Sequence, residues 1–139
     1  MEDFKRALIE IPPAFGMDSG SLDNRIRGGI YDYGPAFSDL FEKCKGFVNE
    51  VKHSNNTQLL SMLLEGERGT GKTALAAKLA LESEFPFVKM ITPENFVGLS
   101  LNHKINNIVK VFHDAYKSNL SLIILDEIER LLEFTNFGR

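Results

Sequence analysis

Gly66-Glu67-Arg68-Gly69-Thr70-Gly71-Lys72-Thr73 has the residue types and spacing of a loop built to hold a polyphosphate. Glycines at 66, 69 and 71 let the backbone take angles that other residues resist, so successive N–H groups can turn inward around phosphate oxygens. A helix opening near Lys72 would aim the positive end of its dipole at the same anion. Lys72 can reach the β- and γ-phosphates as a point charge, and the Thr73 hydroxyl can complete the shell of a Mg²⁺ ion. The pattern is a complete Walker A motif.

A second candidate lies downstream. Leu122-Ile123-Ile124-Leu125-Asp126-Glu127 is an apolar strand closed by two carboxylates, a Walker B pattern. Asp126 falls at the carboxyl end of that strand, where α/β sheets bind ligands. It can hold Mg²⁺ through water, while Glu127 can orient or deprotonate an attacking water. Taken alone, an apolar strand ending in acidic residues also reads as a surface turn. Two strand–helix units beyond a Walker A, it reads as the metal-bearing half of one site for nucleotide and Mg²⁺.

Those motifs need elements to carry them. The apolar run 59–64 ends at Gly66 and reads as a buried strand. Residues 72–83 are rich in alanine and leucine, which favours helix. Residues 86–91 read as a second strand, and Thr92-Pro93 then opens a short helix with the threonine as cap. Ile105, Ile108, Val109, Phe112 and Tyr116 mark one face of a longer helix ending near Asn119. Residues 122–125 form the third strand, followed by a helical turn over 127–133. Alternating strands and helices imply a parallel, doubly wound α/β sheet. Upstream, Phe37, Leu40, Phe41, Cys44, Phe47, Val48 and Val51 recur at helical spacing as one apolar stripe, which makes Cys44 a core residue. Residues 1–35 are loop-rich: Pro12-Pro13 resists helix, and Gly28-Gly29 and Gly34-Pro35 bracket an extended 30–33. The chain thus divides into a segment 1–35 and a nucleotide-binding core 36–139.

Bulk properties narrow the field. A chain of 139 residues with 43% hydrophobic and 25% charged residues has the makings of one ordinary globular core. Its net charge of −3 lacks the basic surplus of a nucleic-acid binder. One cysteine allows no internal disulfide and suits a reducing compartment. The amino terminus has no signal-peptide pattern, and no apolar run is long enough to cross a bilayer, so a cytosolic protein is expected. His53, His103 and His113 show no metal-ligand spacing with each other or with Cys44, and no zinc site is assigned.

The Asp-Glu pair closing the Walker B strand resembles that of AAA+ ATPases. Gly28-Gly29-Ile30-Tyr31-Asp32-Tyr33-Gly34, the helical stripe, Leu63-Leu64-Glu65-Gly66, Gly71-Lys72-Thr73-Ala74-Leu75-Ala76-Ala77-Lys78, Asp114-Ala115-Tyr116-Lys117-Ser118 and Ile128-Glu129-Arg130-Leu131-Leu132 together resemble the second ATPase module of the N-ethylmaleimide-sensitive factor family. The likeness covers nearly the whole chain. It implies the large subdomain of an AAA+ P-loop NTPase, a parallel sheet flanked by helices, taking ATP or ADP with Mg²⁺. It implies a vesicle-fusion ATPase that disassembles SNARE complexes as a cytoplasmic homo-hexamer with SNAP adaptors, meeting membranes only through its partners. Within that family the second module serves mainly nucleotide-dependent hexamer assembly. By the same resemblance, Gly28, Gly29, Ile30, Tyr31, Asp32 and Tyr33 contact the adenine. Arg68, Gly69, Thr70, Gly71, Lys72, Thr73, Ala74 and Leu75 hold the phosphates, Thr73 and Asp126 the metal, and Glu127 is catalytic.

Some features depart from the family pattern or stay open. Glu67-Arg68 stands where AAA+ loops commonly carry Pro-Pro, and Arg68 reads as a surface charge or a neighbour-subunit contact. Animal members tend to carry an aspartate at the position of Glu127; glutamate keeps hydrolysis possible. Phe96-Val97-Gly98 lies where the family places a substrate-gripping pore loop, but Phe96 is equally explained by core packing. The fourth strand with its sensor, the arginine fingers and the helical lid would follow Arg139, so this piece alone is expected to be nearly inactive. Two other functions fit: a different AAA+ protein-remodelling ATPase, or a non-catalytic nucleotide-binding assembly scaffold.

Overall fold

The computed structural model describes residues 16, 19–30, 34–54 and 59–133. The chain divides into two compact units, one spanning Ser19–Phe85 and the other Pro86–Arg139 with Met1–Asp18.

The first unit is helical. Helix α1 (Ser19–Ile26) falls in the stretch expected to be loop. Gly20, Asp23 and Asn24 are weak helix formers, and tertiary packing overrides them. Leu22 is 0% exposed, and α1 lies against the third helix of the unit. The Gly29 N–H closes its end on the Ile26 carbonyl at 2.7 Å. Helix α2 (Pro35–His53) opens with proline in its first turn, where the missing N–H is no loss. It buries Phe41, Cys44 and Val48 along the anticipated stripe. Helix α3 (Lys72–Ser83) buries Leu75, Ala77, Leu79 and Ala80, small and branched side chains that let α1 and α2 approach it. Lys45 and Glu82 pair across α2 and α3 at 3.3 Å, and Lys78 stands 4.6 Å from the centre of the Phe41 ring. Such exposed contacts add little stability; the buried side chains carry the packing.

The run 59–64 corrects one expectation. It is not a sheet strand among the described residues. Leu59 and Leu63 are 83% and 79% exposed, whereas Leu60, Met62 and Leu64 are half-buried. That alternation is the side-chain period of extended backbone, but a strand also needs a neighbour to complete its ladder.

The second unit is built on a parallel pair, β1 (Phe87–Ile91) and β2 (Ser121–Leu125), with Val88 opposite Leu122 and Ile91 opposite Leu125. Phe87 and Val88 are almost wholly buried. The crossover holds a 3₁₀ turn (Pro93–Phe96) and helix α4 (Leu101–Ala115), which packs on both strands. Parallel strands require such a connection. The stripe anticipated on α4 is the more exposed one: Ile105, Val109, Phe112 and Tyr116 stand out, while Ile108, Val111 and Ala115 are turned further inward. The helix is apolar over nearly half its circumference, so periodicity alone does not choose which edge of that face is buried. A single turn, α5 (Ile128–Leu131), follows β2 and buries Leu131.

Thr92 caps the 3₁₀ turn as expected. Asn95 Oδ1 accepts from the Thr92 N–H at 2.8 Å and from its hydroxyl at 2.9 Å, and Thr92 is buried. Replacing Asn95 with alanine removes the acceptor shared by two part-buried donors and is expected to lower stability by about 1 kcal/mol. A urea midpoint unmoved by that substitution would contradict the assignment.

Candidate functional site

The Walker A loop belongs to the first unit and the Walker B carboxylates to the second. Residues 59–67 deliver the chain to the loop, and α3 opens directly at its far end. Gly71 makes that junction in the left-handed region, φ 86°, and the Leu75 N–H returns to its carbonyl at 2.8 Å to start the helix. A residue with a Cβ would be strained there. At Gly66 the reason is space, since a Cβ would lie 3.3 Å from the Thr70 hydroxyl.

Lys72 folds back over the loop. Its ammonium donates to the carbonyls of Gly66 at 2.8 Å and Glu67 at 2.5 Å, and lies 3.4 Å from the Thr70 hydroxyl. That hydroxyl itself donates to the Glu67 carbonyl at 2.9 Å. The lysine is therefore held at the mouth of the loop, where the first turn of α3 also directs its N–H groups. A helix leaves those groups without a carbonyl four residues back, which makes its start an anion site. Beside the loop lies a cavity of about 350 Å³, walled by Phe37 and Leu40 of α2, Leu63 and Leu64, and Leu75 of α3. It is mainly apolar, and Gly66, Thr70, Gly71 and Lys72 of the loop complete its lining.

Of the other residues expected to contact nucleotide, Arg68 is exposed, Thr73 and Ala74 are half-buried in the first turn of α3, and Leu75 is a buried wall. Gly28 and Gly29 form the exposed turn after α1, with Ile30 half-buried behind them. Tyr31, Asp32 and Tyr33 lie outside the described residues.

In the second unit, the Asp126 N–H donates to the Ile91 carbonyl at 2.9 Å, which carries the β1–β2 ladder one residue past the strand. Asp126 is half-buried at that edge. Glu127 then reverses the chain in a left-handed conformation, φ 48° and ψ 53°, costly for a residue with a Cβ. The Arg130 guanidinium donates to Glu127 Oε2. This partner was not anticipated, although an acid and a base three residues apart on a helical turn are the available signal. The Glu127 carboxylate beside it pushes the Arg130 pKa up.

Other candidates resolve more simply. Cys44 is buried, and burial pushes its thiol pKa up, as befits a core residue. His53 and His103 are each bonded locally, to the Asn49 carbonyl and the Ser100 hydroxyl, both at 2.9 Å. Phe96 is half-buried, while its neighbour Val97 is 82% exposed. Among the described residues no helix is long and apolar enough to cross a membrane.

Residues 62–136 match the model of the ATPase family associated with various cellular activities (AAA). Over 137 residues the chain is 44% identical to the vesicle-fusing ATPase of Dictyostelium discoideum, covering 99% of this chain and 19% of that protein. It is 45% identical over 136 residues to the vesicular-fusion protein sec18 of Schizosaccharomyces pombe, covering 98% and 17%. With the vesicle-fusing ATPase of Arabidopsis thaliana it shares 46% identity over 138 residues, covering 99% and 19%. The chain thus spans less than a fifth of the length of these curated relatives.

Proposed function

Because this chain belongs to the AAA family of ATPases, we propose that it is a nucleotide-binding module of a vesicle-fusing ATPase. The observation that carries the reading is the loop 66–73 with Lys72 drawn over it and a helix opening behind it. Near-complete coverage of this chain by three vesicle-fusion proteins supplies the biological direction.

In this reading the triphosphate settles on the N–H groups of the loop and of the first turn of α3. Lys72 exchanges its carbonyl partners for the β- and γ-phosphates. The Thr73 hydroxyl and the Asp126 carboxylate are hard oxygen donors of the kind Mg²⁺ prefers and would hold it. The ion, when bound, neutralises charge developing on the phosphoryl oxygens. Glu127 orients the attacking water and accepts its proton. Gly28, Gly29 and Ile30, with Tyr31, Asp32 and Tyr33, contribute the adenine side.

The module's nucleotide serves mainly to hold a homo-hexamer together in the cytoplasm. That assembly, working with SNAP adaptors, takes apart SNARE complexes. Full-length protein is expected to pass from monomer to hexamer mass by light scattering when Mg·ATP is added. It should then release the subunits of a preassembled SNARE complex in the presence of adaptor. A mass indifferent to nucleotide would overturn the assembly role, and an intact SNARE complex the vesicle-fusion role.

A further inference from the structure

We propose that Arg130 is a positioning residue that aims the Glu127 carboxylate at the attacking water; the proposal rests on the reading of Glu127 as the hydrolytic carboxylate. Arg130 holds Glu127 twice. Its N–H donates to the Glu127 carbonyl at 2.9 Å, and its guanidinium takes carboxylate oxygen Oε2. The first contact fixes the backbone of a residue that sits in the left-handed region. The second fixes the side chain. Among the described residues Oε1 has no such partner, so one oxygen is anchored and the other can accept from water. Glu94 and Glu129 act on the same guanidinium from nearby, yet its hydrogen bond goes to Glu127. Arg130 and Glu127 share one helical turn directly after β2.

A guanidinium presents a planar fork, whereas an ammonium is a point donor. Lysine at this position would therefore keep the charge and lose part of the aim. Methionine would keep the bulk and lose both.

The test uses full-length protein in which any companion ATPase module is silenced at its own P-loop lysine. Turnover and equilibrium nucleotide affinity are measured for wild type, Arg130→Met, Arg130→Lys, Glu127→Gln and the Glu127→Gln/Arg130→Met double variant. Arg130→Met is expected to lower kcat by about fivefold, the upper scale for an ion pair this exposed, with nucleotide affinity unchanged. Arg130→Lys should recover part of that loss. The double variant should be no slower than Glu127→Gln, since both changes act through one carboxylate. An unchanged or raised kcat for Arg130→Met would overturn the proposal. So would weakened nucleotide affinity, or losses that multiply in the double variant. Full turnover by Glu127→Gln would instead remove the reading of Glu127 itself, and the role of Arg130 with it.

Discussion

Replacing Lys72 with alanine is expected to weaken Mg·ATP binding by at least about a hundredfold, or ~2.7 kcal/mol. The ammonium is the cation at the mouth of the loop and is already held there by the carbonyls of Gly66 and Glu67. Hydrogen bonds to charged groups contribute about 1.5–3 kcal/mol each, and a lysine on a triphosphate makes more than one. The substitution also removes the contacts that tie the loop to the start of α3, so the N–H groups would lose part of their shared aim. The measurement is titration of full-length protein with a fluorescent ATP analogue, with circular dichroism as the folding control. Undiminished affinity in a folded variant would remove the phosphate cradle from consideration, and the vesicle-fusion reading with it.

The second large effect concerns chemistry rather than binding. Glu127→Gln is expected to slow hydrolysis at this module by about 10²–10⁴-fold, the range for loss of a positioned general base, while nucleotide stays bound. Glutamine matches glutamate in size and can still accept one hydrogen bond from Arg130, but it cannot take a proton from water. Single-turnover decay of bound ATP, with any companion module silenced, reads the step directly. The same variant separates two of the functions open at the level of sequence. If hexamers form and SNARE disassembly proceeds undiminished, the module is an assembly scaffold, and its nucleotide is a structural ligand.

The parts of the site legible in the sequence were those whose chemistry forces a local pattern. Gly66, Gly69 and Gly71 recur because the loop turns through positive φ at all three, which glycine adopts without strain. The strands β1 and β2 were readable because each is a short apolar run between turn signals. Thr92-Pro93 marked its turn because capping is local hydrogen bonding. The stripe on α2 was readable for the same reason of short range, and Cys44 came with it.

What was not legible depends on distant partners. The run 59–64 has the composition of a strand, but ladder bonds come from residues remote in sequence. Helix α1 is short and poor in helix formers; only its packing against α3 and the burial of Leu22 explain it. On α4 two adjacent apolar stripes compete, and the sheet decides between them. Arg130 was visible as a charge three residues from Glu127, yet its role depends on the left-handed turn at Glu127, which a glutamate does not advertise.

The resting place of Lys72 has a consequence for how a guest is received. Two carbonyl oxygens, with a hydroxyl beside them, hold the Lys72 ammonium over the loop, so the loop is braced by its own side chain. On the proposed reading, a polyphosphate arriving here would trade places with those oxygens instead of folding a floppy segment around itself.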